Sequence, residues 1–215
     1  MDSSVLIDGL IYYIGLVVLL TFHEFGHAWM ASKCGDDTAK DQGRSSLNPL
    51  VHIDPIGTVV MPLLMIFLSP SIGRFLVGWA KPVPVNPNNL RNPRVDDILI
   101  SLAGPWMNLL LAVAFMGLAR IGILAGSETT AVILAQTARL SLMLCFFNLI
   151  PIPPLDGSQV LRSLIGMSYE TYHQYARYGF IAIIIAIQMP FVIKPLLFVT
   201  NTSWRIIGSW FGFSL

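Results

Sequence analysis

Long runs of apolar residues, each able to reach across a lipid bilayer, are the feature that most limits how this chain can fold. Five such runs occur in the 215 residues, at about residues 5–31, 56–80, 98–125, 131–150 and 179–200. About 20 apolar residues cross a bilayer as an α-helix. Charged residues are only 12% of the chain, roughly half the share in a soluble domain. We therefore expect an all-α polytopic membrane protein, a single integral membrane domain over residues 1–215 with room for about five or six spans.

Charge and cysteine content exclude other classes of protein. The formal net charge is +1, whereas a nucleic-acid-binding protein needs a basic face. The two cysteines, Cys34 and Cys145, form neither a CxxC pair nor a disulfide framework. Asp2 and Asp8 stand where a cleaved signal peptide has basic residues. We therefore expect the first apolar run to remain part of the protein.

The second apolar run is the least suited to cross the membrane as one helix. Pro62, the Ser-Pro-Ser sequence at residues 69–71 and Gly73 interrupt it. Residues 81–89 then read KPVPVNPNN, where repeated prolines forbid a helix and allow only an extended edge strand or a loop. Prolines also interrupt the fifth run, whose tail from Ser203 is too short to cross alone.

The sequence HEFGH at residues 23–27 lies inside the first apolar run. On a helix, His23 and His27 lie one above the other and can bind one zinc ion through imidazole nitrogens. Glu24 stands beside that ion, where it can take a proton from zinc-bound water. Ionisable residues inside a membrane span are costly and mark functional sites by default. The pattern predicts a zinc centre, and the alternative is a polar cluster that lines a helix interface.

A hydrolytic zinc site usually has three protein ligands and one open position. Asp156 is the best candidate for the third ligand, because it follows the proline-broken end of the fourth run in NLIPIPPLDG, residues 148–157. A carboxylate placed there can turn back toward the membrane. The alternative is that Asp156 caps the helix that follows it.

Three sequences together resemble the site-2 protease family of intramembrane zinc proteases. They are HEFGH on an early membrane helix, LAGPWMN at residues 102–108 on a later one, and NLIPIPPLDG at the end of the next. The resemblance covers roughly residues 5–162. It implies a three-helix catalytic core over that range, followed by membrane helices at about residues 176–215.

The resemblance also implies roles for single residues. His23, His27 and Asp156 would bind one Zn²⁺ ion per chain, and Glu24 would be the catalytic acid/base. The substrate would be a membrane-spanning protein, cleaved in or near its transmembrane segment.

Two asparagines match positions near the active site of this family. Asn148 begins NLIPIPPLDG and Asn108 ends LAGPWMN. An amide there can donate to the oxyanion or hold the substrate backbone, because it carries both an oxygen and an N–H₂ group. The alternative for each is a hydrogen bond that joins two helices.

The chain resembles the compact bacterial and archaeal branch of the family, since it has no PDZ or CBS-like domain. It carries extra sequence between the HEFGH helix and the LAGP helix. Recognition and regulation then fall to the membrane domain itself or to a separate regulatory membrane protein.

The predicted ligands constrain how the chain is threaded through the membrane. His23 and His27 lie toward the C-terminal end of the first run, and Asp156 follows the C-terminal end of the fourth. These ends share one side only if the chain between them crosses an even number of times. The third and fourth runs supply that number. We therefore expect the second run to be re-entrant or to lie in the membrane.

Charge patterning points to the same threading. It places most basic residues on one side and the N-terminus on the other, which satisfies the positive-inside rule and puts the catalytic side near the cytosol. The basic residues on that side are Lys33, Lys40, Arg44, Arg74, Lys81, Arg91, Arg94, Arg162 and Arg177.

We expect an intramembrane zinc metalloprotease in which Glu24 activates the water and a polar vestibule brings water to the metal. The segment 82–85 is a candidate edge for pairing with an unwound substrate. A non-proteolytic membrane protein that binds or transports metal is the alternative. His52 and Asp54 form a loop corner or approach the active site, and Arg139 faces protein or solvent.

Overall fold

A computed structural model describes residues 3–68 and 78–214 of the chain. Within these residues the secondary structure is helical and contains no β-strand, as the apolar runs predict. The α-helices are α1 (Ser3–Cys34), α2 (Thr38–Asp41), α3 (Met61–Leu68), α4 (Pro93–Leu124), α5 (Glu128–Asn148), α6 (Asp156–Ile165), α7 (Tyr169–Ala176), α8 (Gly179–Ala186) and α9 (Pro190–Trp210).

Three of the described helices are long and apolar enough to cross a membrane. They are Leu6–Cys34 of α1, the whole of α4 and the whole of α5. Large apolar side chains are exposed along them, as expected of helices whose outer faces lie against lipid. Examples are Ile14, Trp106, Leu118, Ile121 and Val132. The first, third and fourth apolar runs are therefore confirmed as candidate spans.

The fifth apolar run forms two helices rather than one kinked helix. Helices α8 and α9 meet at an angle of 77°, so they are one broken span or a re-entrant pair. Pro190 begins α9, a position that tolerates proline because the first N–H of a helix has no intrahelical partner. Helix α9 continues past the end of the apolar run at Thr200 to Trp210, within the range of about 176–215 expected for the C-terminal helices.

The described part of the second run is too short to cross alone. It forms one apolar helix, Pro55–Phe67. The chain on either side of it meets again: the Lys81 N–H donates to the His52 carbonyl at 2.9 Å and the Trp79 N–H to the Gly57 carbonyl at 3.2 Å. The residues that flank the run are thus hydrogen-bonded to each other, an arrangement that the predicted re-entrant segment requires. The interruptions predicted at residues 69–73 lie outside the described residues.

Close packing of α1 against α4 builds the core around the predicted zinc ligands. A Cβ atom on Gly26 would come within 2.8 Å of the Ala103 carbonyl oxygen. Only glycine therefore allows this helix crossing, as is usual where membrane helices approach closely. On its other side α4 packs on α5 and α9 through Met116, Leu142 and Ile207.

A buried ion pair fixes α6 against the start of α4. Arg162 Nη2 donates to Asp97 Oδ2 at 2.6 Å, and Ser163 donates to the same oxygen. The Tyr169 hydroxyl donates to Asp97 Oδ1 at 2.7 Å. Burial together with this hydrogen bond raises the pKa of Tyr169 to about 12, so the hydroxyl keeps its proton at neutral pH. These contacts hold α6 in place, and Asp156 is its first residue.

Candidate metal centre

The two histidines of HEFGH lie on one face of α1, buried inside the helix bundle. His23 is 4% exposed and His27 is 8% exposed. Their Nε2 atoms are 3.1 Å apart, which is what a spacing of four residues on a helix allows. The predicted pairing of the two imidazoles is therefore present in the fold.

Asp156 reaches the same point from α6. Its Oδ2 lies 3.1 Å from Nε2 of His23 and 3.4 Å from Nε2 of His27. Despite this proximity, Oδ2 is buried and has no partner with hydrogen-bond geometry. The Asp156 side chain also does not cap α6. Three candidate ligand atoms therefore converge on one point, where the two Nε2 atoms lie within hydrogen-bond distance of each other and Oδ2 has no hydrogen-bond partner among the described residues.

The spacing of these atoms fits a tetrahedral zinc ion. Bonds of about 2.0–2.1 Å in tetrahedral geometry place ligand atoms about 3.3 Å apart. The three separations of 3.1, 3.1 and 3.4 Å agree with that value. Among residues 3–68 and 78–214, no other group of three His, Cys, Asp or Glu side chains comes together in this way. Imidazole nitrogen and carboxylate oxygen are both ordinary zinc ligands.

The other ring nitrogen of each histidine, Nδ1, also has a hydrogen-bond partner. His27 Nδ1 lies 2.7 Å from the Ile100 carbonyl oxygen, to which it donates, so Nε2 is left with its lone pair. His23 Nδ1 lies 3.0 Å from the side-chain amide of Asn108, which is completely buried. Once Nε2 binds a metal, Nδ1 carries the proton and needs an acceptor. The Asn108 amide oxygen, which is buried without a partner, supplies one when turned toward the ring.

Gly104 allows α4 to pass directly over the candidate metal ligands. A Cβ atom at this position would collide with the His27 ring at Nε2 and with Cε1 of His23. In the sequence Gly104 stands out only as part of LAGPWMN, a motif that does not predict this contact. The usable signal was a glycine inside a long apolar helix, which costs helix stability and so calls for a packing reason.

Glu24 lies beside the three ligands but is not one of them. The residue is 9% exposed, and its Oε2 accepts a hydrogen bond of 3.1 Å from the Val83 N–H. We call residues 81–89, which carry this N–H, the strap. The prolines keep the strap out of helical structure apart from the short turn Pro87–Asn89. No β-ladder forms there among the described residues, so the predicted extended stretch is a loop.

The strap is anchored at both ends by the loop that follows α1. At its start, the buried Arg44 donates through Nη2 to the Lys81 carbonyl at 2.5 Å and to the Pro82 carbonyl at 3.3 Å. At its end, Asp36 accepts from the Asn86 N–H at 2.7 Å and from the Asn89 amide at 2.8 Å.

Ionised Asp36 strengthens the second anchor. Burial opposes ionisation, but the hydrogen bonds from Thr38, Asn86 and Asn89 outweigh it and hold the pKa of Asp36 below its usual value. The carboxylate is therefore charged at neutral pH, and bonds to a charged acceptor are the stronger kind.

Within the described part of the chain, the remaining candidate residues make no hydrogen bond to the three candidate ligands. Asn148 donates to the Leu144 carbonyl of its own helix at 3.0 Å. His52 is buried and bonds through Nε2 to the Ser46 carbonyl at 2.8 Å. Asp54 accepts from the N–H groups of Ile56 and Gly57 and so caps the helical turn that begins at Pro55. These contacts of His52 and Asp54 are those of a loop corner.

Comparison with known proteins gives an independent view of the chain. It matches the model of peptidase family M50 over residues 11–123 and 119–189. YwhC of Bacillus subtilis (strain 168), whose name describes an inferred zinc metalloprotease, is 37% identical over 197 residues, which are 86% of this chain and 84% of YwhC.

Two mycobacterial relatives are longer than this chain. Rip2 of Mycolicibacterium smegmatis, also named as an inferred zinc metalloprotease, is 30% identical over 82% of the chain and 66% of its own length. Rip2 of Mycobacterium tuberculosis H37Rv is 35% identical over 68% of the chain and 54% of its own length. No solved structure matches the chain. The family model covers most of the chain, and the buried His-His-Asp centre lies among helices long enough to span a membrane. The chain therefore belongs to peptidase family M50, the site-2 protease family of membrane zinc metalloproteases.

Proposed function

We propose that this protein is an intramembrane endopeptidase that hydrolyses a peptide bond in or near a transmembrane segment of a membrane-protein substrate. The observation that carries this proposal is the convergence of His23, His27 and Asp156 beside the carboxylate of Glu24. The ligand set leaves one tetrahedral position open, which is the arrangement of catalytic rather than structural zinc.

Each residue of the centre has a distinct task. His23, His27 and Asp156 would hold a zinc ion, which would supply the Lewis acidity that polarises a carbonyl group and makes water more acidic. Glu24 accepts the proton of the attacking water and then donates it to the leaving amine. The hydrogen bond from the Val83 N–H orients the Glu24 carboxylate for both transfers.

The two asparagines divide between positioning and substrate binding. Asn108 acts on His23, because its amide lies against the outer ring nitrogen and faces no open space. Asn148 is only partly buried and keeps one amide N–H beyond its bond to Leu144. Asn148 is thus the better candidate to donate to the developing oxyanion.

The strap offers an edge on which the substrate can lie. Its hydrogen-bonding groups are few, since Pro82 and Pro84 have no N–H. The Val83 N–H is bound to Glu24, whereas the Val83 carbonyl and the Val85 N–H bond to none of the described residues. These two groups lie on either side of Pro84. A carbonyl and an N–H that flank one residue in this way are spaced to bond to a neighbouring β-strand. The substrate helix must unwind locally to use them.

The experiment that tests this proposal compares Glu24→Gln with wild type. The purified full chain, in detergent or vesicles, is incubated with a membrane-protein reporter cleaved by the wild type. We expect zinc content to be unchanged and cleavage to fall by a factor of about 10³ or more, because the proton acceptor is lost. Lys40→Gln, an exposed surface change, is the matched control.

Two outcomes would contradict the proposal. Cleavage by Glu24→Gln at the wild-type rate would remove the catalytic role of Glu24. A wild-type protein that moves zinc across vesicles but cleaves no membrane reporter would instead support the metal-transport alternative.

We also propose that the catalytic side faces the cytosol and the N-terminus lies outside, from the charge pattern and the re-entrant second run. The two native cysteines are buried and can be replaced to give a cysteine-free background. Single cysteines at Asn88 and Thr129, both exposed, then report the two sides. A membrane-impermeant reagent applied to intact cells should label Thr129→Cys only. Labelling of both positions from the same side would refute this threading.

A further inference from the structure

Arg139 is an exposed cation in the middle of a membrane span. It is the twelfth of the 21 residues of α5, a helix with the length and composition of a span. At 1.5 Å per residue it lies about 17 Å from the start of α5 and about 14 Å from its end. The hydrocarbon core is about 30 Å thick, so these distances place Arg139 near the midplane. A charge there is costly unless something pairs with it.

Asn201 holds one edge of the Arg139 guanidinium and leaves the other edge open. Nε and Nη2 of Arg139 donate to Asn201 Oδ1 at 3.1 and 2.9 Å. Asn201 lies near the middle of α9, so the contact spans the α5/α9 seam at mid-depth. A neutral amide oxygen leaves the positive charge unbalanced. Among the described residues none binds the edge formed by Nη1 and the second N–H of Nη2, and such an edge can bind a carboxylate through two parallel bonds.

The described chain offers no carboxylate to Arg139. None of the ion pairs among residues 3–68 and 78–214 includes it. Lys194 and Arg205 are exposed on the face of α9 that carries Asn201, so the surroundings are basic rather than acidic. Within the interiors of the three spans the acidic side chain is Glu24, which is buried at the metal centre. A second copy of this chain therefore cannot supply the missing charge.

We propose that the α5/α9 seam at Arg139 and Asn201 is the docking site for a transmembrane helix of a different protein that carries an Asp or Glu near its midpoint. Charge complementarity identifies this partner. The carboxylate completes the open edge of the guanidinium, and the apolar remainder of the partner helix packs on Phe198 and Val132, which are exposed beside the seam. This inference depends on α5 crossing the membrane and not on catalysis.

A lipid headgroup is a poorer occupant for this site. The guanidinium would have to extend about 14 Å to reach a phosphate at the nearer end of α5, and arginine side chains snorkel over much shorter distances. Its bonds to Asn201 also direct it along the seam rather than toward either membrane surface.

The test measures binding of a model helix in vesicles. The probe is a fluorescent Leu/Ala peptide of about 22 residues, with one central Glu or, in its matched control, one central Gln. Energy transfer from the labelled full chain reports association in phosphatidylcholine vesicles. We expect wild type to bind the Glu peptide about tenfold more tightly than the Gln peptide. Arg139→Gln should remove that preference, while Lys194→Gln should keep it.

Zinc content and helicity of each variant establish that it is folded. Arg139→Glu provides a second variant, which should reverse the preference in favour of a peptide with a central Lys. Equal binding of Glu and Gln peptides by wild type would overturn the proposal. So would a preference that survives in Arg139→Gln, or one that follows added phosphatidylglycerol rather than the peptide residue.

Discussion

The metal centre and the α5/α9 seam both place ionisable groups at membrane depth, but they treat them in opposite ways. At the metal centre, α1, α4 and α6 enclose two imidazoles and two carboxylates, and each outer nitrogen of a histidine has a contact. At the seam, one exposed cation meets one neutral amide. The first set needs only a metal ion to be complete, whereas the second needs another chain.

The difference teaches how to interpret a polar group in a membrane protein. Enclosure with convergent lone pairs indicates a small ligand, and exposure with unbalanced charge indicates a protein partner. The same difference predicts that cleavage activity is more sensitive to mutation at the metal centre than at the seam. Changes within the metal centre should abolish the reaction, while changes at the seam should leave the purified enzyme almost intact.

The largest effect is expected at Asp156. Asp156→Ala removes one of three ligands and should eliminate stable zinc binding and reduce cleavage by about 10⁴-fold or more, since activation of the water depends on the metal. Metal analysis and reporter cleavage measure the two quantities. Asp37→Ala, an exposed aspartate, is the control. Full zinc occupancy in Asp156→Ala would mean that α6 does not contribute a ligand.

A smaller but still large effect is expected where α4 passes over the ligands. The added methyl group of Gly104→Ala would overlap the His27 ring, so the helices must separate and zinc affinity should fall about 100-fold. Gly15→Ala is the matched control, because its Cβ would meet only Thr137 at 3.6 Å, an ordinary contact. Equal zinc affinity in both variants would show that α4 can shift without disturbing the centre.

Removing the support of His23 should cost less than removing a ligand. Asn108→Ala takes away the acceptor for Nδ1 and should lower zinc affinity about 10- to 100-fold, the usual loss for such a supporting group. Asn108→Asp retains an oxygen acceptor and should recover most of the affinity. If both variants bind zinc as the wild type does, Asn108 only joins two helices.

Loosening the strap should affect substrate binding more than the metal. Arg44→Met removes the Nη2 group that donates to both the Lys81 and the Pro82 carbonyls. We expect KM to rise by roughly three- to tenfold with zinc content unchanged, because the strap is less ordered before substrate arrives. A fall in kcat with KM unchanged would mean that the strap acts by orienting Glu24 rather than by binding the substrate.

The smallest effect is expected at the seam. Arg139→Gln should change zinc content and reporter cleavage by the purified chain less than about twofold, as is usual for changes away from packed or reacting groups. By contrast, Arg162→Gln breaks the buried ion pair with Asp97 and should lower the free energy of unfolding by about 3–5 kcal/mol. A loss of cleavage in Arg139→Gln would show that catalysis at the metal centre depends on the seam.

The parts of the fold and site that depend on local pattern could be predicted from sequence. HEFGH brings His23 and His27 together because helix geometry places residues four apart on one face, and the three candidate spans follow from their apolar length. Contacts between distant segments could not be predicted. The bond from Val83 to Glu24 and the approach of Gly104 to His27 depend on how the helices cross. The bond from Arg139 to Asn201 depends on how far α9 extends past Thr200.

X-ray absorption at the zinc edge of the purified wild-type chain tests the central claim most directly. Binding by His23, His27 and Asp156 predicts one zinc ion per chain with two imidazoles, and nitrogen and oxygen neighbours at about 2.0–2.1 Å. Sulfur neighbours at about 2.3 Å, or two-histidine scattering that persists in a His23→Ala variant, would contradict it.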